Sequence, residues 1–165
     1  HDGKLDAAFG DDGVSSLDTG GYAAAIVQRS NGALLVAGSA DEGGGFLAAA
    51  TANGQPHPVF GGLSVLRLAH QVQALAVQAD GKLLVSTVPY HEDDCPGPGW
   101  TLQRLGSSGV IDPTFGADGS MTSLMIDGEK DRNCDLTKIW TEPSGDAVIQ
   151  TAAGLRRLAV LDQPA

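Results

Sequence analysis

The stretch LDAAFGDDG, residues 5–13, recurs with few changes as IDPTFGADG at residues 111–119. A third Phe-Gly pair, Phe60-Gly61, lies between them, and the three pairs follow one another at intervals of 51 and 55 residues. Similarity at a period of this length is typical of chains that stack one supersecondary unit. We therefore expect a single repeat domain over residues 1–165, with approximate units 5–55, 56–110 and 111–165.

Each unit contains the same succession of four β-type segments, here named a to d. Segment a follows the Phe-Gly pair and is partly alternating: VSSLD (14–18), LSVLRL (63–68) and SMTSLMI (120–126). Segments b and c surround a tight turn at Asn31-Gly32, Asp80-Gly81 or Ser144-Gly145. Asn-Gly and Asp-Gly are strong hairpin signals because both residues tolerate positive φ. Segment d closes the unit: FLAAATANG (46–54), WTLQRLGSSG (100–109) and LRRLAVLDQ (155–163).

Four short strands in a period of about 50 residues are the signature of a propeller blade. The predicted fold class is all-β and β-propeller-like, with three four-stranded repeat units. Closed propellers typically have about four to eight blades. Three units would form half of a six-bladed ring completed by a second copy, part of a ring completed by the remainder of a longer chain, or a smaller wrapped form. The count of whole units favours the homodimer.

The repeated motif resembles the delta-sixty repeat family of bacterial proteins. The matching residues are Leu5, Asp6, Phe9, Gly10, Asp12, Gly13, Asp80, Gly81, Lys82, Leu83, Val85, Ile111, Asp112, Pro113, Phe115, Gly116, Asp118 and Gly119. The second unit, PHPVFGG (56–62), departs from the pattern because it lacks the Asp and the later Asp-Gly. The third hairpin departs from it as well, with Ser144-Gly145 in place of Asp-Gly. The resemblance implies a propeller-like β fold that is usually exported. It implies no established activity and no catalytic residues.

The charge of the chain disfavours several classes of partner. The formal net charge is −10, from ten Lys and Arg against 20 Asp and Glu. Nucleic acids and anionic membranes both require a basic face, and the basic residues here are scattered. No apolar run approaches the roughly 20 residues that span a bilayer. We expect no nucleic-acid partner, no membrane insertion, and a secreted or periplasmic protein whose signal peptide has been removed.

The two cysteines, Cys95 and Cys134, lie in polar segments rich in glycine and aspartate. Two loop cysteines in a small acidic chain fit one disulfide in an oxidising compartment. In a meander, Cys95 follows segment c of one unit and Cys134 precedes segment b of the next, so both lie at the same end of neighbouring sheets. We predict a disulfide between them, and two free surface thiols are the alternative.

The predicted disulfide would join the two longest loops at that end and concentrate acidic side chains there. Long loops on a rigid scaffold are common binding sites. The predicted binding residues are His91, Glu92, Asp93, Asp94, Asp127, Glu129, Asp131 and Asp135.

A metal site in these loops is one of three hypotheses. The alternation of oxygen ligands after Asp127 is similar to the start of a calcium loop. It departs from an EF-hand because Arg132 replaces the required Gly and Lys138 replaces the bidentate Glu. A weak divalent cation site, a solvated acidic face and a surface for a basic partner all stay open. The candidate metal ligands are His91, Asp127, Glu129, Asp131 and Asp135, and no other cofactor is expected.

No catalytic motif is present: the chain lacks a G-x-S-x-G elbow, a phosphate-binding loop and paired metal-ligating histidines. The first functional hypothesis is therefore an exported, non-enzymatic module that binds a protein or glycan through its loop-rich face. The alternative is a carboxylate-based, metal-assisted hydrolase or lyase that acts on glycans. A third is an architectural fragment whose partner is a second copy or the rest of a longer chain.

Overall fold

The computed structural model of the chain describes residues 3–88, 99–122, 136–151 and 154–159. Within these ranges the protein is all-β and forms three antiparallel sheets. The described residues contain no helix, and so none that could cross a membrane.

Each sheet is a meander in which consecutive strands are hydrogen-bonded neighbours. Sheet 1 comprises β1 (Gly21–Gln28), β2 (Leu34–Ala40), β3 (Gly45–Ala50) and β4 (Val65–Leu68). Sheet 2 comprises β5 (Gln71–Val77), β6 (Leu83–Val88), β7 (Thr101–Leu105) and β8 (Ser120–Thr122). Sheet 3 comprises β9 (Leu136–Thr141), β10 (Ala147–Thr151) and β11 (Gly154–Leu158).

The first hairpins of the three sheets share one turn geometry. The glycine N–H donates to the carbonyl three residues earlier, from Gly32 to Arg29, Gly81 to Gln78 and Gly145 to Glu142, each at 2.9 Å. The hairpins predicted at these dipeptides are present. Only the glycines have positive φ, however, so each loop has three residues and a glycine bulge instead of two residues with positive φ.

The sheets are offset from the sequence units, because the fourth strand of a sheet belongs to the next unit. β4 lies in the second unit and pairs with β3 of the first, with Leu66 opposite Leu47. In the same way β8, from the third unit, pairs with β7 of the second, with Met121 opposite Leu102. The link after segment d reverses the chain, so the next segment a runs back along the strand that it has just left. Sheets 1 and 2 therefore each combine segments b, c and d with the following a, whereas the described strands of sheet 3 are its segments b, c and d.

The two copies of the opening motif adopt the same backbone. The φ angles are +63° and +58° at Gly10 and Gly116, and +47° and +52° at Asp12 and Asp118. A Cβ atom at Gly10 or Gly116 would collide with a backbone carbonyl four residues later. Residues 5–13 and 111–119 therefore share one turn geometry, in which close approach of the backbone requires glycine at positions 10 and 116.

The second Phe-Gly unit makes its tight turn two residues earlier. Phe60 and Leu63 exchange backbone hydrogen bonds of 3.0 and 3.1 Å across Gly61 and Gly62. Both glycines have positive φ and take the place that Asp and Gly hold in the other two units. The unit without the Asp-Gly dipeptide therefore keeps the reversal and shifts it.

Two apolar cores lie between the three sheets. The core between sheets 1 and 2 contains Leu35, Ala37, Leu47, Ala49, Phe60, Val72, Leu75, Leu83, Val85 and Leu105. The core between sheets 2 and 3 contains Ala74, Ala76, Leu84, Val88, Trp100, Leu102, Phe115, Leu136, Ile139, Ala147, Ile149 and Leu158. Sheet 2 is therefore covered on both faces, and β6 is buried along its whole length.

Two strand positions are unmatched in the described part of the chain. Segment 14–18, expected as a strand, joins none of the three sheets there. Sheet 3 has three strands there, and no described strand pairs with the outer edge of β11.

We predict that Gly116→Ala lowers the free energy of unfolding by about 2–5 kcal/mol, because it adds a collision with the Ser120 carbonyl to the strain of positive φ. The matched control is Gly145→Ala, which also has positive φ but open space around the added methyl group. That variant should lose about 1–2 kcal/mol. Urea unfolding measures both, and equal losses would contradict the close approach at Gly116.

Candidate binding site

A cleft forms where the three equivalent hairpin turns meet, and we name it the turn cleft. The turns converge because β5 lies against both β1 of sheet 1 and β9 of sheet 3. The cleft has a volume of about 630 Å³ and is lined by residues 28–31, 77–81 and 141–143. It lies at the end of sheet 2 opposite to Val88, the last residue of β6.

Side chains fasten the turns to one another. Gln78 Nε2 donates to the Gly145 carbonyl at 3.2 Å, and Thr141 Oγ1 donates to the Val77 carbonyl at 2.8 Å. On the other side, Arg29 Nη2 donates to the Ser107 carbonyl at 2.8 Å. These bonds link each turn to the neighbouring sheet and hold the walls of the cleft in place.

Gln78 is the most informative residue of the turn cleft. Its side chain is only 7% exposed, and its Oε1 atom has no hydrogen-bond partner among the described residues. A buried acceptor without a partner costs about 1–3 kcal/mol, which a ligand that donates a hydrogen bond would recover. Arg29 Nε is also buried without a hydrogen bond there, and burial lowers the pKa of Arg29.

The acidic groups of the cleft are already engaged by cations. Asp80 Oδ2 lies 3.5 Å from Lys82 Nζ, and Glu142 Oε1 accepts a hydrogen bond of 2.8 Å from Arg157 Nη2. Among the described residues, no three His, Cys, Asp or Glu side chains are grouped to hold a metal ion. The cleft therefore presents amides and backbone groups together with compensated charges.

A second polar cluster surrounds Arg104, a buried side chain in β7. Arg104 Nε lies 2.9 Å from Asp112 Oδ2, and Nη2 donates to Thr114 Oγ1 at 2.7 Å. The guanidinium carbon lies 5.2 Å from the centre of the Phe115 ring, a cation–π contact. Lys82 Nζ adds a second cation 3.1 Å from Asp112 Oδ2. The repeated motif thus receives an arginine from the sheet that precedes it.

The charge of Asp112 is favoured by this cluster. A hydrogen bond of 2.7 Å from the Thr114 hydroxyl is the largest cause, and Lys82 and Arg104 act in the same direction. Together they hold the pKa of Asp112 well below its usual range, against the opposing effect of burial.

None of the residues predicted as a site can be assigned a place. His91, Glu92, Asp93, Asp94, Asp127, Glu129, Asp131 and Asp135 lie outside the described residues, as do Cys95 and Cys134 of the predicted disulfide. The acidic binding surface, the cation site and the disulfide therefore stay predictions.

Two features were not anticipated from the sequence. The turn cleft has one recoverable signal: Arg29, Gln78 and Glu142, which precede the three turn dipeptides by two residues, are all polar. The Arg104 cluster also had a signal, because an arginine interrupts the apolar residues of TLQRL (101–105). A buried arginine requires a carboxylate partner, and the repeated motif supplies one.

We predict that Asp112→Asn lowers the urea midpoint at pH 7 and that the difference from the wild type narrows below about pH 4. The folded pKa of Asp112 lies below the unfolded value of about 3.9, so its contribution is complete above that value. It is lost as the pH falls through the folded pKa. Asp80→Asn, at a half-exposed carboxylate, is the control and should change little. A difference that does not vary with pH would contradict this assignment.

Comparison with known proteins places the fold alone. No family model matches the chain, and no curated protein matches it. Seven solved chains match it in structure. One of them is a protein of unknown function from Bacteroides caccae, with 14% sequence identity and a TM-score of 0.51. The match covers 89% of this chain and 45% of that one, so this chain spans less than half of that protein.

Proposed function

We propose that the chain is an exported, non-enzymatic binding module with a propeller-like arrangement of sheets. Face-to-face stacking of equivalent antiparallel sheets supports that arrangement, as does the contact of β5 with β1 and β9. The family resemblance of the repeated motif agrees with export. Asp80 and Glu142, the acidic groups of the turn cleft, each already contact a cation, which favours binding over proton transfer.

We place the binding site in the turn cleft. The observation that carries this assignment is Gln78, a buried amide whose carbonyl oxygen has no partner among the described residues. The cleft volume of about 630 Å³ lies within the usual range of small-molecule sites. All three repeats contribute to the cleft, so the site requires the whole stack.

The chemistry of the walls favours an uncharged, hydroxyl-rich ligand, such as the end of a glycan. Gln28, Asn31 and Gln78 supply amides, and the charges of Asp80 and Glu142 are compensated. Hydroxyl groups both donate and accept, which suits amides and backbone groups, whereas an anion would meet two carboxylates. No cofactor is required. The acidic residues 91–94 and 127–135, which lie outside the described residues, remain a second predicted surface, for a basic protein.

The test is binding to a panel of immobilised neutral glycans, followed by titration of the strongest one. We expect Gln78→Leu to weaken that binding about tenfold or more, because one hydrogen bond to a buried group is lost. Its stability should change little, since the substitution removes an unpaired acceptor together with the bond to Gly145.

The control is Gln55→Ala, at an exposed amide outside the cleft. It should bind like the wild type. The turn cleft is not the site if no neutral glycan binds, or if binding is indifferent to Gln78→Leu. In the second case, variants of the acidic loops become the next measurement.

A further inference from the structure

The two cores of the molecule use the same positions of the repeat. Leu47 and Ala49 of sheet 1 meet Leu75 and Leu83 of sheet 2 in one core. The equivalent positions meet in the other core: Leu102 of sheet 2 against Ile139 and Ala147 of sheet 3. Equivalence follows from the hairpin turns, because Ile26, Leu75 and Ile139 all lie three residues before the aligned Arg29, Gln78 and Glu142.

The same positions are exposed on the outward faces of sheets 1 and 3. Ile26 is 64% exposed, whereas its equivalent in sheet 2, Leu75, is 4% exposed. Leu155 in β11 is 68% exposed, whereas its equivalent Leu102 is 0% exposed. We call the face that carries Ile26 or Leu75 the front of its sheet, and the face that carries Leu102 or Leu155 the back. The front of sheet 1 is open, whereas the equivalent front of sheet 2 is covered. The back of sheet 3 is open, whereas the equivalent back of sheet 2 is covered.

The described part of sheet 3 lacks a fourth strand, and residues 14–18, expected as a strand, join no described sheet. The outer strands β4 and β8 come from the segment after a Phe-Gly motif and place Leu66 and Met121 opposite Leu47 and Leu102. The segment after the first motif, residues 14–18, has the same place in the repeat but no partner strand among the described residues. The outer edge of β11, with which no described strand pairs, offers the equivalent position at Leu155. In the register of β7 and β8, Ser15 would lie opposite Leu155.

A charge pair within the repeat identifies the partner more sharply. Ala49 in sheet 1 and Arg157 in sheet 3 are equivalent to Arg104 in sheet 2. The equivalence follows from strand pairing: Arg104 lies opposite Leu84, Ala49 opposite Leu35 and Arg157 opposite Val148. In the motif that follows Ala49, His57 takes the position of Asp112. The His57 N–H donates to the Ala49 carbonyl and the Asp112 N–H donates to the Arg104 carbonyl, each at 2.9 Å.

Arg104 therefore occurs together with Asp112, whereas the equivalent positions one repeat earlier carry neither an arginine nor an aspartate, but Ala49 and His57. Arg157 is the second such arginine, and Asp6 is the second such aspartate. Both have substantial solvent exposure, and Arg157 pairs with Glu142 of its own sheet.

We propose that two copies of this chain associate head to tail through these surfaces. Residues 14–18 of each copy add as the fourth strand of sheet 3 in the other, and the open front of sheet 1 packs on the open back of sheet 3. Arg157 of one copy meets Asp6 and Phe9 of the other, as Arg104 meets Asp112 and Phe115 within sheet 2. Two such contacts, related by a two-fold axis, close a ring of six sheets.

The charge contact should be weaker than its counterpart within the chain. Asp146 of sheet 3 takes the position of Lys82, so Asp6 would have one cation where Asp112 has two. We therefore expect the association to depend on salt concentration. This pairing is independent of ligand binding in the turn cleft, and either can fail without the other.

The first test is molar mass by light scattering over a range of protein and salt concentrations. We expect two chains for the wild type and an association about 10- to 100-fold weaker for Asp6→Arg or Arg157→Glu alone. Both side chains are exposed in the single chain, so neither substitution should prevent folding, which circular dichroism checks. The double variant, and an equimolar mixture of the two single variants, should regain the dimer because opposite charges face each other again. Val110→Asp is the control. It changes an exposed apolar residue in the β7–β8 link, and the variant should stay dimeric.

The second test fixes the strand register. Under oxidation, chains carrying Ser15→Cys and Leu155→Cys should form a covalent dimer in high yield. Either single variant, and the pair Ser15→Cys with Arg157→Cys, two residues out of register on the same face, should not exceed the wild-type background. The head-to-tail pairing would be overturned by a wild-type mass of one chain or by an open-ended series of masses. It would also be overturned if the Ser15→Cys pair with Arg157→Cys cross-linked as well as the pair with Leu155→Cys.

Discussion

A four-stranded sheet with apolar side chains on both faces is stable only when both faces are covered. Sheet 2 meets this condition, since β6 is buried along its whole length and its two faces belong to two different cores. Burial of apolar area contributes roughly 25 cal/mol per Å², and no single meander of this size retains it in water. The stack and the shared turn cleft follow from this requirement, and the outward faces of sheets 1 and 3, where Ile26 and Leu155 are exposed, do not meet it in the single chain.

The offset between sequence units and sheets strengthens the stack. Because each outer strand comes from the following unit, the link that carries the Phe-Gly motif joins the third and fourth strands of one sheet, β3 to β4 or β7 to β8. The phenyl rings of these links nevertheless reach the neighbouring sheet: Phe60 lies in the core between sheets 1 and 2, and Phe115 lies in the core between sheets 2 and 3. The tight turns of the motif, fixed by positive φ at Gly10 and Gly116, place those phenyl rings. The motif therefore packs one sheet on the next, and the chain itself passes from sheet 1 to sheet 2 after β4.

The sequence predicted the all-β class and the three hairpins, because local signals determine them: Asn-Gly, Asp-Gly and alternating apolar residues. It did not predict that segment 63–68 pairs with the preceding unit, since strand pairing depends on the path of the whole link. The earlier turn at Gly61 and Gly62 was missed because a Gly-Gly pair substitutes for Asp-Gly two residues away. Gln78 and Arg104 were missed because their roles arise only when turns or strands from different units meet.

Repetition of nearly identical faces creates a problem of specificity, because equivalent sheets could stack in the wrong order. The position shared by Ala49, Arg104 and Arg157 distinguishes the faces, since an arginine is tolerated only where the next motif brings a carboxylate. His57 follows Ala49, and Asp112 follows Arg104. Burying Arg157 against the second motif would leave its charge without an anion, whereas the first motif offers Asp6. The same residues that distinguish the faces thus favour one order of stacking within the chain, and in the proposed dimer they would favour the same order between copies.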